Sequence, residues 1–366
     1  MRKTACVAGA FTLICMSETV LVAMSGGVDS SVAAALMVEA GHEVVGVTMK
    51  MWAGPNGEAP TSGCCTVSDA EDARRVASRL GISYYVVDYT DHFSTGVIDH
   101  FVDGYLAGRT PNPCVECNRK VKFSALLEHA SQLGCQAVVT GHYARIRNDG
   151  RRRRLLRGVD RAKDQSYVLS MLGQSQLERL RFPVGEMTKP ETRQMASELG
   201  LRTATKPESM DICFVRGGDY REFLAGQASQ GFASGPIVDQ SGQELGRHDG
   251  VVNFTIGQRR GLGVATGEPR YVTGIDPGTS TVTIGGEQDL LVGSVTLEEV
   301  SWVSGLDPGV EMEAQYRAHG DAVEVRVEGR QVTFSEPQPA VASGQTISFY
   351  AGEEVLGGAV ITDTRR

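Results

Sequence analysis

The chain has 366 residues, 41% of them hydrophobic and 22% charged, which is enough material for two or three domains that each bury a core. Its net charge of −8 excludes a general attraction to nucleic acid, so any contact with RNA must come from local basic patches. No apolar run reaches the roughly 18 residues that a membrane-spanning helix needs, and the eight cysteines fit a reducing, cytoplasmic environment better than a disulfide scaffold.

Residues 1–17 have a basic start and a short apolar core, and so imitate a secretory signal. Ile14, which precedes Cys15, is too large for a signal-cleavage position, and an apolar strand pattern begins only a few residues later. We interpret this segment as a dispensable extension, with Met16 as a candidate natural start.

The segment Val20–Ser30 joins an apolar strand pattern to an apolar helical pattern through a tight Ser-Gly-Gly turn. Adjacent glycines let the backbone turn sharply and bring N–H groups close to a ligand, and the following helix directs its positive end to the same place. The segment has neither the ending of a Walker loop nor the dinucleotide-binding glycine spacing. It predicts an anion site; the structural alternative is an ordinary strand–turn–helix corner.

Strand and helix patterns alternate up to about residue 225, which predicts a doubly wound parallel α/β sheet with helices on both faces. Residues 42–50 form the second predicted strand, and its Met49 lies near the carboxyl end, where such sheets bind ligands. A core methionine is an equally good interpretation. Capping boxes are predicted at Ser68–Glu71 and Thr188–Glu191.

The two-proline segment Gly108–Asn118 predicts a loop without regular helix or strand, and it presents Cys114 and Cys117 together. The densest basic cluster is Arg151–Arg154 with Arg157. A solvated charge run is its default interpretation, but the polar and aromatic residues that follow favour contact with an RNA backbone. From about Gly231 short alternating segments between turn residues predict two small β domains of the barrel type, divided near residues 285–286.

Three thiols, Cys114, Cys117 and Cys213, need a joint explanation. A thioredoxin-type redox pair does not fit the flanking prolines and asparagines, and a structural zinc would need a fourth ligand that is not evident. A third alternative links them to the anion site: ATP activates an oxygen, which a cysteine-bound sulfur then replaces. Adjacent Cys64 and Cys65 would point apart, and we interpret them as structural or incidental.

Several segments of the chain resemble those of known families. SGGVDSS resembles the pyrophosphate loop of the AMP-forming ATP pyrophosphatases. The six segments SGGVDSSVAA, GRTPNPCVECNRKVKF, TGHYAR, KDQSYVL, KPESMDICFV and FTIGQRRGLGV occur in the order found in the bacterial tRNA-specific 2-thiouridylases, a resemblance that covers residues 18–366.

The resemblance implies a pyrophosphate-loop domain, a small central domain and a tRNA-contacting β-barrel, which we place at residues 18–225, 226–286 and 287–366. It implies 2-thiolation of the wobble uridine of tRNA with ATP and Mg²⁺, and a sulfur donor that is a cysteine desulfurase or relay protein. The target base must leave the anticodon stack to reach the site. A cytoplasmic monomer is expected.

The resemblance also implies roles for individual residues. The implied ATP contacts are Ala23, Met24, Ser25, Gly26, Gly27, Val28, Asp29, Ser30, Met49 and Gly141. Cys213 would carry the persulfide, and Cys117 would complete sulfur release and form a transient disulfide with Cys213. The implied target-base contacts are Asn112, Pro113 and Cys114. The implied tRNA contacts are His142, Lys163, Asp164, Gln165, Gln315, Tyr316 and Gln345.

Two departures from the family pattern matter. Many members have an aspartate in place of Cys114; an aspartate could act as an acid–base catalyst, which an ordinary thiol would do poorly. With Cys114, the three cysteines could also ligate an iron–sulfur cluster with one open iron, so a cluster mechanism stays beside the persulfide mechanism. Gln315 stands where a basic residue is expected, which predicts a weaker RNA contact.

Overall fold

A computed structural model describes residues 17–52, 66–208, 212–215, 219–228, 231–303 and 311–366. The strands are β1 (Thr19–Ala23), β2 (Glu43–Lys50), β3 (Ser83–Asp88), β4 (Ala137–Val139), β5 (Ala144–Asn148), β6 (Arg153–Arg157), β7 (Leu180–Arg181), β8 (Gly235–Val238), β9 (Glu244–His248), β10 (Tyr271–Asp276), β11 (Thr281–Gly285), β12 (Leu291–Trp302), β13 (Glu311–Gln315), β14 (Val323–Glu328), β15 (Gln331–Pro339), β16 (Thr346–Ala351) and β17 (Glu354–Arg365). The α-helices are α1 (Val28–Glu39), α2 (Val67–Leu80), α3 (Thr90–Phe93), α4 (Asp99–Leu106), α5 (Pro113–Glu116), α6 (Phe123–Gln132), α7 (Gln174–Glu178), α8 (Lys189–Glu198) and α9 (Tyr220–Gln227).

The first domain is built on a parallel sheet in the order β3-β2-β1-β4-β7. Alternate side chains of the central strand enter two different cores: Leu21 joins one apolar cluster, and Val20 and Val22 join the other. Helices therefore cover both faces, and the predicted fold class is confirmed. Because the strand order reverses between β1 and β4, the crevice beyond their carboxyl ends is where such a sheet binds ligands.

The remaining two domains are mainly β. The central one is a four-stranded sheet in the order β10-β11-β8-β9, and β12, β15, β14, β13, β16 and β17 form the last, which closes into a barrel through pairing of β12 with β17. The hairpin β5–β6 of the first domain extends the barrel sheet, since β6 pairs with the start of β17. Helix α9 crosses the predicted division between residues 225 and 226.

Of the two predicted capping boxes, one is corrected and one is confirmed. The first capping box is Thr66 with Asp69, two residues before the predicted pair; Asp69 also has a tertiary partner in Lys206. The Thr188–Glu191 capping box is confirmed. No helix among the described residues is long and apolar enough to cross a membrane. Residues 1–16, Cys64 and Cys65 lie outside the described residues.

The prediction of a loop through residue 118 is wrong after Asn112. The Asn112 side-chain oxygen accepts hydrogen bonds from the N–H groups of Cys114 (3.1 Å) and Val115 (3.3 Å), and Pro113 occupies the first helical position, where no N–H is needed. Helix α5 begins there and continues into a π-helical segment, Cys117–Lys122. Cys114 and Cys117 therefore lie on one helical turn.

Candidate nucleotide and cysteine site

A pocket opens at the carboxyl ends of β1, β2 and β4, at the switch point of the sheet. Nine of the ten predicted ATP contacts line it, namely Ala23, Met24, Ser25, Gly27, Val28, Asp29, Ser30, Met49 and Gly141. The predicted tRNA contacts His142 and Gln165 line the same pocket. The structure thus brings together residues that are more than a hundred positions apart in the sequence.

Gly26, in the glycine turn Ser25-Gly26-Gly27, and Gly141 have no room for a side chain. Gly26 has a φ of +72°, and a Cβ there would lie 2.2 Å from the carbonyl oxygen of Asp69. A Cβ on Gly141 would lie 2.7 Å from the backbone N of Ser30. Ser30 Oγ accepts a hydrogen bond from the Ser25 N–H at 3.2 Å, which holds the turn against the start of α1. The backbone can therefore approach an anionic ligand closely.

Asp29, on the first turn of α1, is the centre of a charged network. Its carboxylate accepts hydrogen bonds from Lys189 Nζ at 2.8 and 2.9 Å and from the Tyr143 hydroxyl at 2.8 Å. Burial raises the pKa of Tyr143 well above its ordinary value, so this hydroxyl keeps its proton and donates it. Glu208 bridges Lys189 (3.3 Å) and Lys163 (2.8 Å), and the Lys163 hydrogen bond lowers the pKa of Glu208.

A second lysine braces the glycine turn itself. Lys206 Nζ donates to the carbonyl oxygen of Gly26 at 3.0 Å and to carboxylate oxygens of Asp69 and Asp72, both at 2.7 Å. Burial alone would lower the pKa of Lys206, but these two carboxylates raise it, so the ammonium group stays charged. Together with Lys122 and Lys189 it gives the pocket three cationic side chains. Such groups can bind a polyphosphate and the pyrophosphate released from it.

Sequence reasoning missed Lys189, Lys206, Glu208 and Tyr143. Lys206 and Glu208 lie within the segment KPESMDICFV, Tyr143 lies within TGHYAR, and Lys189 directly follows the predicted cap Thr188, so their positions were visible. Lys189 and Tyr143 bind Asp29, which is more than a hundred residues away. Lys206 binds Asp69 and Asp72 across a similar separation, and such pairings cannot be read from spacing. The pocket carboxylates fit Mg²⁺, which takes one or two protein carboxylates beside substrate phosphates; no set of three or more His, Cys, Asp or Glu within the described ranges is arranged to hold a metal.

The helical turn that carries Cys114 and Cys117, which we call the cysteine turn, adjoins the pocket. Cys117 is 5% exposed, and its Sγ lies 4.0 Å from Sδ of Met51, which itself lines the pocket. Cys114 is exposed and Cys213 is partly buried. Cys213 packs against the apolar cluster that contains Cys117, and the ring of its neighbour Phe214 anchors it there against other aromatic side chains. The cysteine turn and the distant segment around Phe214 thus bring the thiols of Cys117 and Cys213 to one apolar cluster.

The predicted tRNA contacts near the pocket have well-defined protein partners. The His142 ring packs near Phe123 and Phe182 and hydrogen-bonds through Nδ1 to Thr140 Oγ1 at 2.7 Å. Burial, and then the charge of Lys122, lower the pKa of His142 to about 3, so the ring is neutral. Gln165 accepts from the N–H of Tyr143 at 3.0 Å, so it braces the residue that holds Asp29.

Asp164 and the three predicted barrel contacts are bound within the protein. Asp164 accepts from Arg157 at 2.9 Å, and buried Gln315 donates to the carbonyl oxygens of Arg317 and Ala318. The hydroxyl of buried Tyr316 contacts Gln338 at 3.2 Å, and Gln345 donates to the carbonyl oxygen of Thr110 at 2.7 Å. Their contact with tRNA stays a prediction.

The arginine cluster joins two domains. Arg152 and Arg154 both bind the carboxylate of buried Glu354 on β17, at 2.9 and 2.7 Å. The Arg157 guanidinium lies 3.6 Å from the ring centroid of Tyr350 on β16 and binds Asp164. These three side chains therefore lie at the interface with the barrel, whereas the sequence favoured a contact with an RNA backbone.

Three family models match the chain in succession: a tRNA methyl transferase HUP domain at residues 18–217, a tRNA methyl transferase PRC-barrel domain at 221–286, and an aminomethyltransferase beta-barrel domain at 292–361. Among solved structures, a 4-thiouridine synthetase–RNA complex with bound ATP is 18% identical, with a TM-score of 0.39 over 57% of this chain and 50% of that chain.

Curated relatives match over nearly their whole length. The tRNA-specific 2-thiouridylase MnmA of Roseiflexus sp. (strain RS-1) is 51% identical over 93% of this chain and 98% of the relative. The proteins of the same name from Mycobacteroides abscessus and Geobacter metallireducens are 51% and 48% identical, each over 94% of this chain and over 99% and 96% of the relative. The chain therefore belongs to the family of tRNA-specific 2-thiouridylases.

Proposed function

We propose that this protein converts the wobble uridine of tRNA, at position 34, to 2-thiouridine, with release of AMP and pyrophosphate. The observation that carries the proposal is the adjacency of two parts: a pocket built to cradle a polyphosphate, and Cys117, which touches the pocket-lining Met51. An enzyme that only binds nucleotide has no use for a thiol there. The family membership supports the same reaction.

In the first step, O2 of the uracil attacks the α-phosphorus of ATP, and the bond to pyrophosphate breaks. The oxygen, a poor leaving group, becomes part of AMP, which leaves readily. Backbone N–H groups of the glycine turn, with Lys189 and Lys206, would stabilise the charge that develops on the pyrophosphate. Mg²⁺ bound beside Asp29 would add neutralisation of the phosphate charge.

In the second step, the terminal sulfur of a persulfide on Cys213 attacks C2 of the activated uracil, and the bond between C2 and the AMP oxygen breaks. The thiolate of Cys117 then attacks Sγ of Cys213. This forms the Cys117–Cys213 disulfide and leaves the transferred sulfur on C2 as the thiocarbonyl. An external thiol reductant supplies two electrons to restore both cysteines, and a sulfur donor protein reloads the persulfide.

This proposal gives the other partners defined roles. The target base must be extruded from the anticodon to reach the cysteine turn, where Asn112, Pro113 and Cys114 would contact it. His142, Lys163, Asp164, Gln165, Gln315 and Tyr316 are the proposed tRNA contacts, whereas the amide of Gln345 is bound to the Thr110 carbonyl oxygen. The protein is proposed to act as a monomer, as the family resemblance implies.

The test is an anaerobic single-turnover thiolation of unmodified tRNA. Iron-free protein carrying a persulfide on Cys213 is mixed with ATP and Mg²⁺, and 2-thiouridine is quantified by mass spectrometry. We expect one 2-thiouridine per persulfide. Formation only after iron and sulfide are restored would instead establish the cluster mechanism, with Cys114, Cys117 and Cys213 as ligands. No thiolation by either preparation would overturn the proposed function.

A further inference from the structure

The backbone of Thr110, two residues before the helix cap Asn112, is held by the β-barrel. Its N–H donates to the carbonyl oxygen of Ser343 at 2.8 Å, and its carbonyl oxygen accepts from Gln345 Nε2 at 2.7 Å. The N–H and C=O groups of Thr110 are thus both hydrogen-bonded to a single barrel segment, Ser343–Gln345, which we call the clasp. A loop residue so fully bonded has little freedom to move.

The clasp is closely packed and rigidly connected to the barrel. Gly344 has a φ of +89°, and a Cβ at this position would lie 2.9 Å from the backbone N of Thr110 and from Cβ of Arg109. Its own N–H donates to the carbonyl oxygen of Ile361 on β17 at 2.7 Å, and the Ile361 N–H donates back to Gln345 at 2.9 Å. Only glycine fits between the two backbones, so the separation is fixed by contact.

The barrel also holds the cysteine turn from its other side. The Tyr167 hydroxyl donates to the carbonyl oxygen of Thr346 at 2.8 Å and also contacts the side chain of Asn112. After the turn, Arg119 forms ion pairs with buried Glu116 at 2.8 Å and with Glu299 of the barrel. The segment that carries Cys114 and Cys117 is therefore attached to the barrel before, at and after the turn.

We propose that the clasp is a positioning element for the cysteine turn, and that Gln345 is a positioning residue for sulfur transfer. The inference rests on the proposed function, because it separates the two steps of that reaction. Adenylation draws its charged groups from the glycine turn and its lysines, which the clasp does not touch, and shares with sulfur transfer only the target-base contacts Asn112, Pro113 and Cys114. Sulfur transfer uses Cys117, whose place is set by the segment that the clasp holds.

The test compares Gln345→Met with Gln331→Met. The first change keeps the shape of the side chain and removes the donor to Thr110. The second removes a barrel glutamine on β15 whose side-chain oxygen accepts a hydrogen bond from Thr296 of the barrel at 3.4 Å. Under single-turnover conditions with saturating tRNA, pyrophosphate release and 2-thiouridine formation are measured separately, together with the Kd for tRNA.

For Gln345→Met we expect unchanged pyrophosphate release, a Kd for tRNA within about twofold of wild type, and thiolation slowed about tenfold, the equivalent of one lost hydrogen bond of about 1.4 kcal/mol. Hydrogen exchange at the Thr110 amide should also rise. Gln331→Met should match wild type throughout. Gly344→Ala, whose folding is checked by thermal melting, should reproduce the selective loss.

Three results would overturn the inference: a weakened Kd with both rates intact at saturation, which makes Gln345 an RNA contact only; an equal fall in both rates; or no change in either. Wild-type protein serves as the reference for the proposed function. If it forms no 2-thiouridine, the proposed function fails, whereas wild-type thiolation matched by Gln345→Met removes the positioning role alone.

Discussion

Lys189 and Asp29 form a two-oxygen ion pair at 2.8 and 2.9 Å across the mouth of the glycine turn, although 160 positions separate them. Lys189 is 7% exposed, whereas the Asp29 side chain is 30% exposed, so the ammonium group is buried and the carboxylate is partly open to solvent. An ammonium group in this place neutralises the carboxylate in the ligand-free protein and is within reach of phosphate oxygens when a nucleotide enters. In the proposed reaction, this pair is the charged centre of the nucleotide site.

Replacement of Lys189 by Met should slow tRNA-dependent pyrophosphate release about 100-fold, because removal of one preorganised donor to a developing anion costs on the order of 3 kcal/mol. Single-turnover release of labelled pyrophosphate measures this. Lys50→Met is the matched control, since Lys50 pairs with Asp88 on the protein surface. Equal rates for the two variants would contradict a phosphate-binding role for Lys189.

Cysteine substitutions should separate the two mechanisms. With persulfide-loaded protein, Cys114→Ala should retain thiolation within about threefold, while Cys117→Ala should release pyrophosphate but form no 2-thiouridine, because Cys117 is the proposed nucleophile that frees the sulfur. Cys135→Ala, which removes a buried thiol outside the site, controls for packing. Complete loss of thiolation in Cys114→Ala, together with loss of bound iron, would favour the cluster instead.

The interdomain ion pairs should contribute to stability unequally. Glu354→Gln should lower the free energy of unfolding by about 2 kcal/mol, because the buried carboxylate faces both Arg152 and Arg154 and its loss removes the negative charge that they share. Glu353→Gln should cost less than about 1 kcal/mol, since Glu353 is 56% exposed in its pairs with Arg145 and Arg161. Urea unfolding measures both, and similar losses would refute the distinction.

His142 should make the protein sensitive to acid. Its pKa is about 3 in the folded protein and ordinarily about 6.5 in an unfolded chain, so the unfolded state binds more protons between these values. Stability from this residue is complete above pH 6.5 and falls, by up to about 1 kcal/mol per pH unit, as the pH drops toward 3. His142→Gln should flatten this slope in urea unfolding at pH 7 and pH 5, and an unchanged slope would contradict the prediction.

The sequence was sufficient for what depends on local pattern. The glycine turn, Met49 at the end of β2 and the Thr188 cap follow from spacing and residue type, and all lie as expected. The helical turn with Cys114 also has a local signal, since Asn before Pro is a good start for a helix. The two prolines of the segment instead led to the prediction of a loop.

What could not be predicted depends on distant pairs. Glu354 lies 200 residues after Arg154, so the arginine cluster looked like free positive charge until its acidic partner was placed. Likewise, nothing near Gln345 in the sequence indicates that its amide binds the backbone of Thr110. The role of a cluster of like-charged side chains cannot be assigned until the side chains of opposite charge are located in space.

The pairing of β6 with β17 makes the C-terminal barrel inseparable from the first domain. A fragment that ended before β12 would leave the outer row of β6 N–H and C=O groups open, a template on which other chains could assemble. It would also strip Arg152 and Arg154 of their shared counter-charge. Truncation at the domain boundary is thus a route to insoluble protein, and shuffling of this barrel between relatives must carry the hairpin along with it.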